Sequence, residues 1–353
     1  MDSWRRSFES WLKEIAPIAN EIDSNPQQLK IVLQQMGDRS WLALKAPSEL
    51  GGMGFDEPTY RRLQISLARI SGALTFLQTQ HQSAVSKLAS SENKALHSEF
   101  FPDVACGNPL VGVGFSHLRR RGIPMVQATE TERGYLISGK VPWITGYGFF
   151  SYFILGATLA DGKELYGILP LQNMMQTSGG KIVFSPPMQL LAAAATNTVS
   201  AQIDRWYLSS DRVVSINPAG TIHQTSKKNI LNHGFYALGC AYAGLDLLQN
   251  IAASKQLEFL HSSWQSLQRE AEVLKEQAIA SVSNFELAYE QKLQLRSETI
   301  NLAQRSSLAA VTASSGAANY LYSSAGRVYR EALLFSVSGQ TIDVMRSSLK
   351  HLI

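Results

Sequence analysis

LVGVGF (110–115), GYLISG (134–139), FFSYFILGATL (149–159), ELYGILPL (164–171), KIVF (181–184) and TVSAQIDRWYL (198–208) are short β-like runs broken by Gly and Pro. Their spacing and turn residues predict an antiparallel barrel or sandwich rather than βαβ units. On either side the pattern is helical. Upstream, Trp4, Phe8, Trp11, Leu12, Ile15 and Ile22 recur at three- and four-residue steps, which places them on one helical face. Asn25-Pro26 opens a second helix, because Pro is tolerated at the first helical position, and Gly37 is expected to close it. Past the turn Gly51-Gly52-Met53-Gly54, a helix starting near Pro58 carries Leu63, Leu67 and Ile70. A further stripe runs through Leu74, Leu77, Val85 and Leu88, and helix signals stop at Pro102. Downstream of about residue 225, Leu267, Ala271, Leu274, Ala278, Val282, Phe285 and Tyr289 form one long stripe. SSLAAVTASSGAANYLYSSAG (306–326) is rich in small residues, which let helix backbones approach closely. The expected order is therefore helical (1–108), β (109–222) and helical (223–353).

Composition narrows the class. The chain has 353 residues, enough for two or three domains, with 32 Lys and Arg against 28 Asp and Glu, a net charge of +4. With 17% charged and 45% apolar residues, it is not a disordered, solvating chain. No Lys/Arg stripe with interleaved aromatics points to nucleic acid. No apolar run is long enough to span a bilayer. Arg5 and Arg6 are not followed by the apolar core of a signal peptide, so a cytoplasmic location is expected. Cys106 and Cys240 are far apart and outside any CxxC pattern, and the seven histidines show no metal-ligand pairing. Neither a disulfide framework nor a metal is expected. Gly112-x-Gly114 lacks the third glycine of a dinucleotide turn.

Particular residues at the joints of this order carry a resemblance. Leu42–Asp56 reads LALKAPSELGGMGFD, similar to a "P-E-x-x-G-G-x-G" turn with Ser48 before Glu49. Ser138–Thr145 reads SGKVPWIT, similar to "G-x-K-x-W-I-T", and Tyr329-Arg330-Glu331-Ala332 is similar to "M-R-D-A". In this order the three segments resemble the acyl-CoA dehydrogenase flavoprotein superfamily. The resemblance implies an α+β fold: an N-terminal helical domain, a middle antiparallel β-barrel and a C-terminal four-helix bundle. It also implies FAD, with FMN as the alternative, lying between the β domain and the bundle, and a homodimer or homotetramer acting on a small molecule such as an acyl-CoA.

Cofactor residues follow from the same match. Trp143 would wall the flavin ring, although a core aromatic is the plainer reading of that residue. Thr145 would donate its hydroxyl or backbone N–H to the hydride-accepting edge. Phe115 and Ser116 fall where the family places its pyrimidine-edge contact. Gly316, in Ser315-Gly316-Ala317-Ala318, stands in the eroded cofactor turn, and Thr341 at the Thr of the family's "Y-E-G-T" loop.

That loop lacks the family's base. Read without gaps, Gly339 occupies the Glu position, and a one-residue slide brings Ser338 there; neither takes a proton from carbon. The alternative family position, on the first bundle helix, offers Asn232 and His233 but no acid. His117 and His233 are the expected substitutes, because an unperturbed imidazole titrates near neutrality. Arg119, Arg120 and Arg121 are candidates for phosphate binding by bidentate guanidinium, or form a solvated loop. Glu331 is expected to fix its helix through Arg330 or a backbone amide. Function is expected to be FAD-dependent oxidation of a CH–CH group in an acyl thioester or related substrate. The alternatives are a flavin-dependent oxidase or monooxygenase, or a non-catalytic binding or assembly protein.

Overall fold

The computed structural model describes residues 2–283 and 287–352. Six helices come first: α1 (Asp2–Ile15), α2 (Ala19–Ser24), α3 (Pro26–Asp38), α4 (Glu57–Ile70), α5 (Gly72–Ala89) and α6 (Lys94–Phe100). The periodic residues of α1 do face inward: Phe8, Trp11, Leu12 and Ile15 are buried, with Trp11 and Trp41 meeting edge to face at 5.5 Å. Asn25 caps α3 by accepting from the amides of Gln27 and Gln28, which supplies acceptors for donors that no helical turn can satisfy. Gly37 does not close that helix, as was expected, but lies one residue inside it. A side chain there would strike the Cys106 carbonyl, so the glycine serves a close approach rather than a stop.

The middle of the chain forms a nine-stranded sheet. Its strands are β1 (Val111–Gly114), β2 (Val126–Thr131), β3 (Gly134–Ile144), β4 (Tyr152–Thr158), β5 (Glu164–Pro170), β6 (Met174–Met175), β7 (Lys181–Phe184), β8 (Val199–Ser209) and β9 (Val213–Asn217). The order is β6-β7-β8-β3-β2-β4-β5-β9, with β1 beside β4. Pairing is antiparallel except where β1 and β2 run parallel to β4. On β3 and β8 alternate residues such as Ile137, Val141, Val199, Ala201 and Ile203 point into the core, the period-2 signature of a sheet with one covered face.

Helices α7 (Thr221–Lys228), α8 (Asn232–Lys255), α9 (Glu258–Ser283), α10 (Tyr289–Ser314), α11 (Ser324–Val337) and α12 (Ile342–Leu349) follow. The long stripe expected through Leu267–Tyr289 belongs to two helices. Leu267 to Val282 lie on α9, Tyr289 starts α10, and Phe285 lies outside the described residues. Small residues bring α8 and α10 together: a β-carbon on Gly244 would sit 2.8 Å from the Ser306 backbone. The second half of the small-residue stretch is instead an exposed turn, Ser315–Asn319, before α11.

Two further contacts join the helical layers. A β-carbon on Gly239 of α8 would meet Ala68 and the Ile65 carbonyl of α4 at 2.5 Å. Glu331 of α11 accepts from the Gly72 amide at the start of α5 and from Arg327, at 2.9 and 2.7 Å. The amide partner is as expected, but the arginine is Arg327. Arg330 turns to Asp23, at 3.5 Å.

Candidate active site

A cavity of about 740 Å³ opens where α4, α5, the segment after β1, β5, α7, α8 and α10 converge on the loop between α11 and α12. That size is ordinary for a small-molecule site. Its walls mix charged and polar side chains with apolar ones such as Phe115, Ile222, Leu231 and Val282. At one side Glu57 holds Lys45 and Arg61, with Arg61 Nε donating at 2.7 Å. Arg61 also donates to Gln64 at 2.6 Å, and Gln64 in turn donates to the hydroxyls of Tyr60 and Tyr236, at 2.6 and 3.1 Å. Salt bridges to Arg61 and Lys45 overcome the burial of Glu57 and keep its carboxyl below the usual range.

Gly339 lines the opposite wall, with φ +59°. A β-carbon built there would lie 2.5 Å from Nε2 of His233. The imidazole of α8 therefore fills the space that a side chain at position 339 would need. It meets Tyr236 edge to face at 5.4 Å, and its Nδ1 is buried without a partner among the described residues. Burial, then the positive charges of Arg296, Arg119 and Arg61, push His233 well below the usual imidazole range, so the ring is neutral at physiological pH.

Arg296, only 2% exposed, holds this arrangement together. Its guanidinium donates to the carbonyls of Ile230, Ser338 and Gly339 at 2.9, 2.8 and 3.1 Å, tying the start of α8 to the loop after α11. Burial and the charge on Arg119 pull it down to about 10. Arg119 donates through Nε to Ser226 at 2.8 Å. Lys87 rests 3.4 Å from the centre of the Tyr166 ring, and burial pulls it down to about 8.

The residues singled out from sequence thus divide into two sets. Phe115, Arg119, His233, Gly339 and Thr341 all line the cavity, Thr341 also capping α12 through the Val344 amide. Ser338 is next to it, and its hydroxyl bonds the Leu334 carbonyl. The others lie outside. His117 is buried, with Nε2 2.9 Å from the Gly156 carbonyl. Ser116, Arg120 and Arg121 are exposed, so the arginine run does not act as a unit. Gly316 sits in the exposed turn with open space around it. Trp143 leaves 46% of its surface exposed at the end of β3, and the Thr145 hydroxyl is buried against that of Thr198 at 3.0 Å. Arg61, Lys87 and Arg296 were not expected. For Arg61 and Arg296 a signal existed: each falls on an apolar helical stripe, with Ile65 and Ala68, or Leu293 and Ile300, at three- to seven-residue steps.

A helical layer, a mostly antiparallel sheet and a helical bundle converging on one cavity make up the architecture that acyl-CoA dehydrogenases adopt. The model of the acyl-CoA dehydrogenase N-terminal domain matches residues 3–108. The mitochondrial very long-chain specific acyl-CoA dehydrogenase of Macaca fascicularis is 24% identical over 227 residues, covering 60% of this chain. The match spans 33% of that relative, so this chain corresponds to a third of its length. Among solved structures, glutaryl-CoA dehydrogenase of Mycobacterium smegmatis in complex with FADH2 has a TM-score of 0.83 at 14% identity, over 100% of this chain and 95% of that one. KijD3, in complex with FMN and a dTDP-linked amino-keto sugar, has a TM-score of 0.75 at 14% identity, over 98% and 92%. Residues 3–108 thus match the acyl-CoA dehydrogenase N-terminal domain, and the chain as a whole has the acyl-CoA dehydrogenase fold.

Proposed function

We propose that the protein is a flavin-dependent oxidoreductase that acts in this cavity, with His233 in the place of the family's carboxylate base. The observation that carries the reading is the overlap of the imidazole with the side-chain position of residue 339. The residues present suit a flavin, FAD or FMN. The cavity is edged by Phe115 and Thr341, it contains aromatic and cationic side chains, and the half-exposed Trp143 ring offers a flat apolar surface. Ser116 and Gly316 remain contacts only by resemblance. Because the Thr145 hydroxyl is committed to Thr198, its contribution would come from the backbone. When bound, the flavin would accept a hydride equivalent from substrate carbon.

The chain's own residues supply the remainder. His233 is neutral and its Nε2 faces Gly339 on the cavity wall, so the ring carries the lone pair a base needs. Burial and the neighbouring arginines oppose the charged form and make it a weak base. Arg296 fixes the loop carbonyls and with them the position of Gly339 against the ring. Arg119 and Lys87 add positive charge to the lining. The absence of a free carboxylate favours a second reading. Glu57, the carboxylate lining the cavity among the described residues, is tied to Lys45 and Arg61. A flavin-dependent oxidase or monooxygenase would need no base at carbon. Assembly as a homodimer or homotetramer belongs to the same proposal, supported by half-exposed apolar rows on α11 (Tyr329, Leu333, Val337) and α12 (Ile342, Met345, Leu349).

The test is the visible absorption spectrum after equilibration with FAD or FMN and desalting, repeated for Trp143→Ala and His233→Ala. Retained flavin, weakened by Trp143→Ala and reduced by substrate in the parent but not in His233→Ala, supports the first reading. Reduction that survives His233→Ala supports the second. A folded protein that holds no flavin would leave a binding or assembly role.

A further inference from the structure

The positive charges of the cavity are not matched by negative ones. Lys45 and Arg61 share Glu57. Glu164 lies behind Tyr166 and is committed to that hydroxyl and to the Ile222 amide, at 2.9 and 3.0 Å. Arg119 and Arg296 have no carboxylate within salt-bridge distance among the described residues, and the charge on each lowers the proton affinity of His233. Arg296 gives its terminal nitrogens to three carbonyls, which accounts for its place in the packing, although its Nε is buried without a partner among the described residues.

Arg119 has no such account. It is anchored by one bond from Nε to Ser226, and its terminal nitrogens bond nothing among the described residues although they border the cavity. A guanidinium held by Nε presents a planar fork that matches a carboxylate or phosphate in bidentate geometry. Tyr166, over whose ring Lys87 rests, also interacts electrostatically with Arg119, so the two cations share a neighbour in the cavity wall. Glu164 offsets part of the Lys87 charge, but nothing offsets that of Arg119 among the described residues, and a partly buried cation without a counter-ion is unfavourable unless an anion joins it.

We propose that Arg119 and Lys87 form a seat for the carboxylate or phosphate of an acidic substrate, taken into the cavity alongside His233. The proposal rests on the reading of this cavity as the substrate site and adds the substrate's charge class. A purely apolar tail would displace water from the charged Lys87, Arg61 and Glu57 side chains of the lining without offering a polar partner, whereas an acid meets the cations.

Isothermal titration of the full-length protein, with and without flavin, would use succinate, inorganic phosphate, octanoate and free CoA as probes. Saturable binding of succinate or phosphate, weakened about 10- to 100-fold by Arg119→Met and Lys87→Met, is expected from losing a charged hydrogen bond. Preference between the two probes identifies the anion. Arg119→Met should also raise the melting temperature of the ligand-free protein, which loss of a structural residue would not do. If that variant fails to fold, Ser226→Ala, which removes only the anchor, should weaken the same probe. Equal binding by parent and variants, or tighter binding of octanoate than of succinate, overturns the proposal. So does binding confined to CoA or flavin, since the seat would then serve a nucleotide phosphate. Flavin retained without anion binding defeats the seat alone. Anion binding that depends on Arg119, in a protein that holds no flavin, defeats the oxidoreductase reading alone.

Discussion

At position 339 an absent side chain matters as much as a present one. The backbone there is left-handed and the space beside it is already filled by His233, so restoring the family's glutamate by Gly339→Glu alone meets both strain and overlap. Left-handed backbone costs a non-glycine residue about 1–2 kcal/mol before any clash is counted. Gly339→Glu is therefore expected to lower the melting temperature, and Gly339→Glu with His233→Ala to recover part of the loss, both read by thermal denaturation. The sequence carried half of this site. The missing acid was legible by comparing two loops, and His233 by its place at the start of α8. Their mutual contact was not, because positions 233 and 339 are brought together only by the packing of α8 against α11 and by Arg296. Trp143 and Thr145 were the most legible residues of all, yet neither lines this cavity: Trp143 is half-exposed on β3, and Thr145, just past its end, is buried against Thr198.

Elements show the same division. Helices α1, α4 and α5 and the strand runs follow from hydrophobic period, whereas the break between α9 and α10 does not, because Val282 and Tyr289 keep a helical step across it. Close approach between helices rests on glycines whose purpose only packing reveals. Gly244→Val should push α10 away from α8 and lower stability by about 1–3 kcal/mol, measured by urea denaturation. His81 joins α5 to β1: its Nδ1 faces the Val111 amide at 3.0 Å and its Nε2 the Val104 carbonyl at 3.2 Å. Burial pulls it from 6.5 to about 4. The unfolded chain then takes up this proton more readily than the folded one, so stability is lost as pH falls from 6.5 towards 4. The loss amounts to about 3 kcal/mol once both states are protonated. Melting curves across that interval should show the decline, and His81→Gln should flatten it.

For the molecule as a whole, the sequence conveyed the order of helical, β and helical regions and the resemblance that organises them. It conveyed little of how the first region and the last are fastened. Gly72, Arg327 and Glu331 make that junction, with the carboxylate fully buried. Glu331→Ala leaves Arg327 buried without its partner, and such a loss typically costs about 3–5 kcal/mol. A single cooperative transition at lower temperature is expected by calorimetry, rather than separate melting of the N-terminal helices and the bundle.

The same junction bears on how the chain is made. Gly72 and Glu331 are 259 residues apart. On the ribosome the N-terminal helices emerge long before the carboxylate that receives the Gly72 amide, and before Gly239, whose missing side chain lets α8 lie against Ala68. Contacts of such separation form late and slowly. The patch of α4 around Ile65 and Ala68, which α8 covers, stays exposed until the C-terminal helices arrive, and such transiently bare apolar surface favours holding by chaperones.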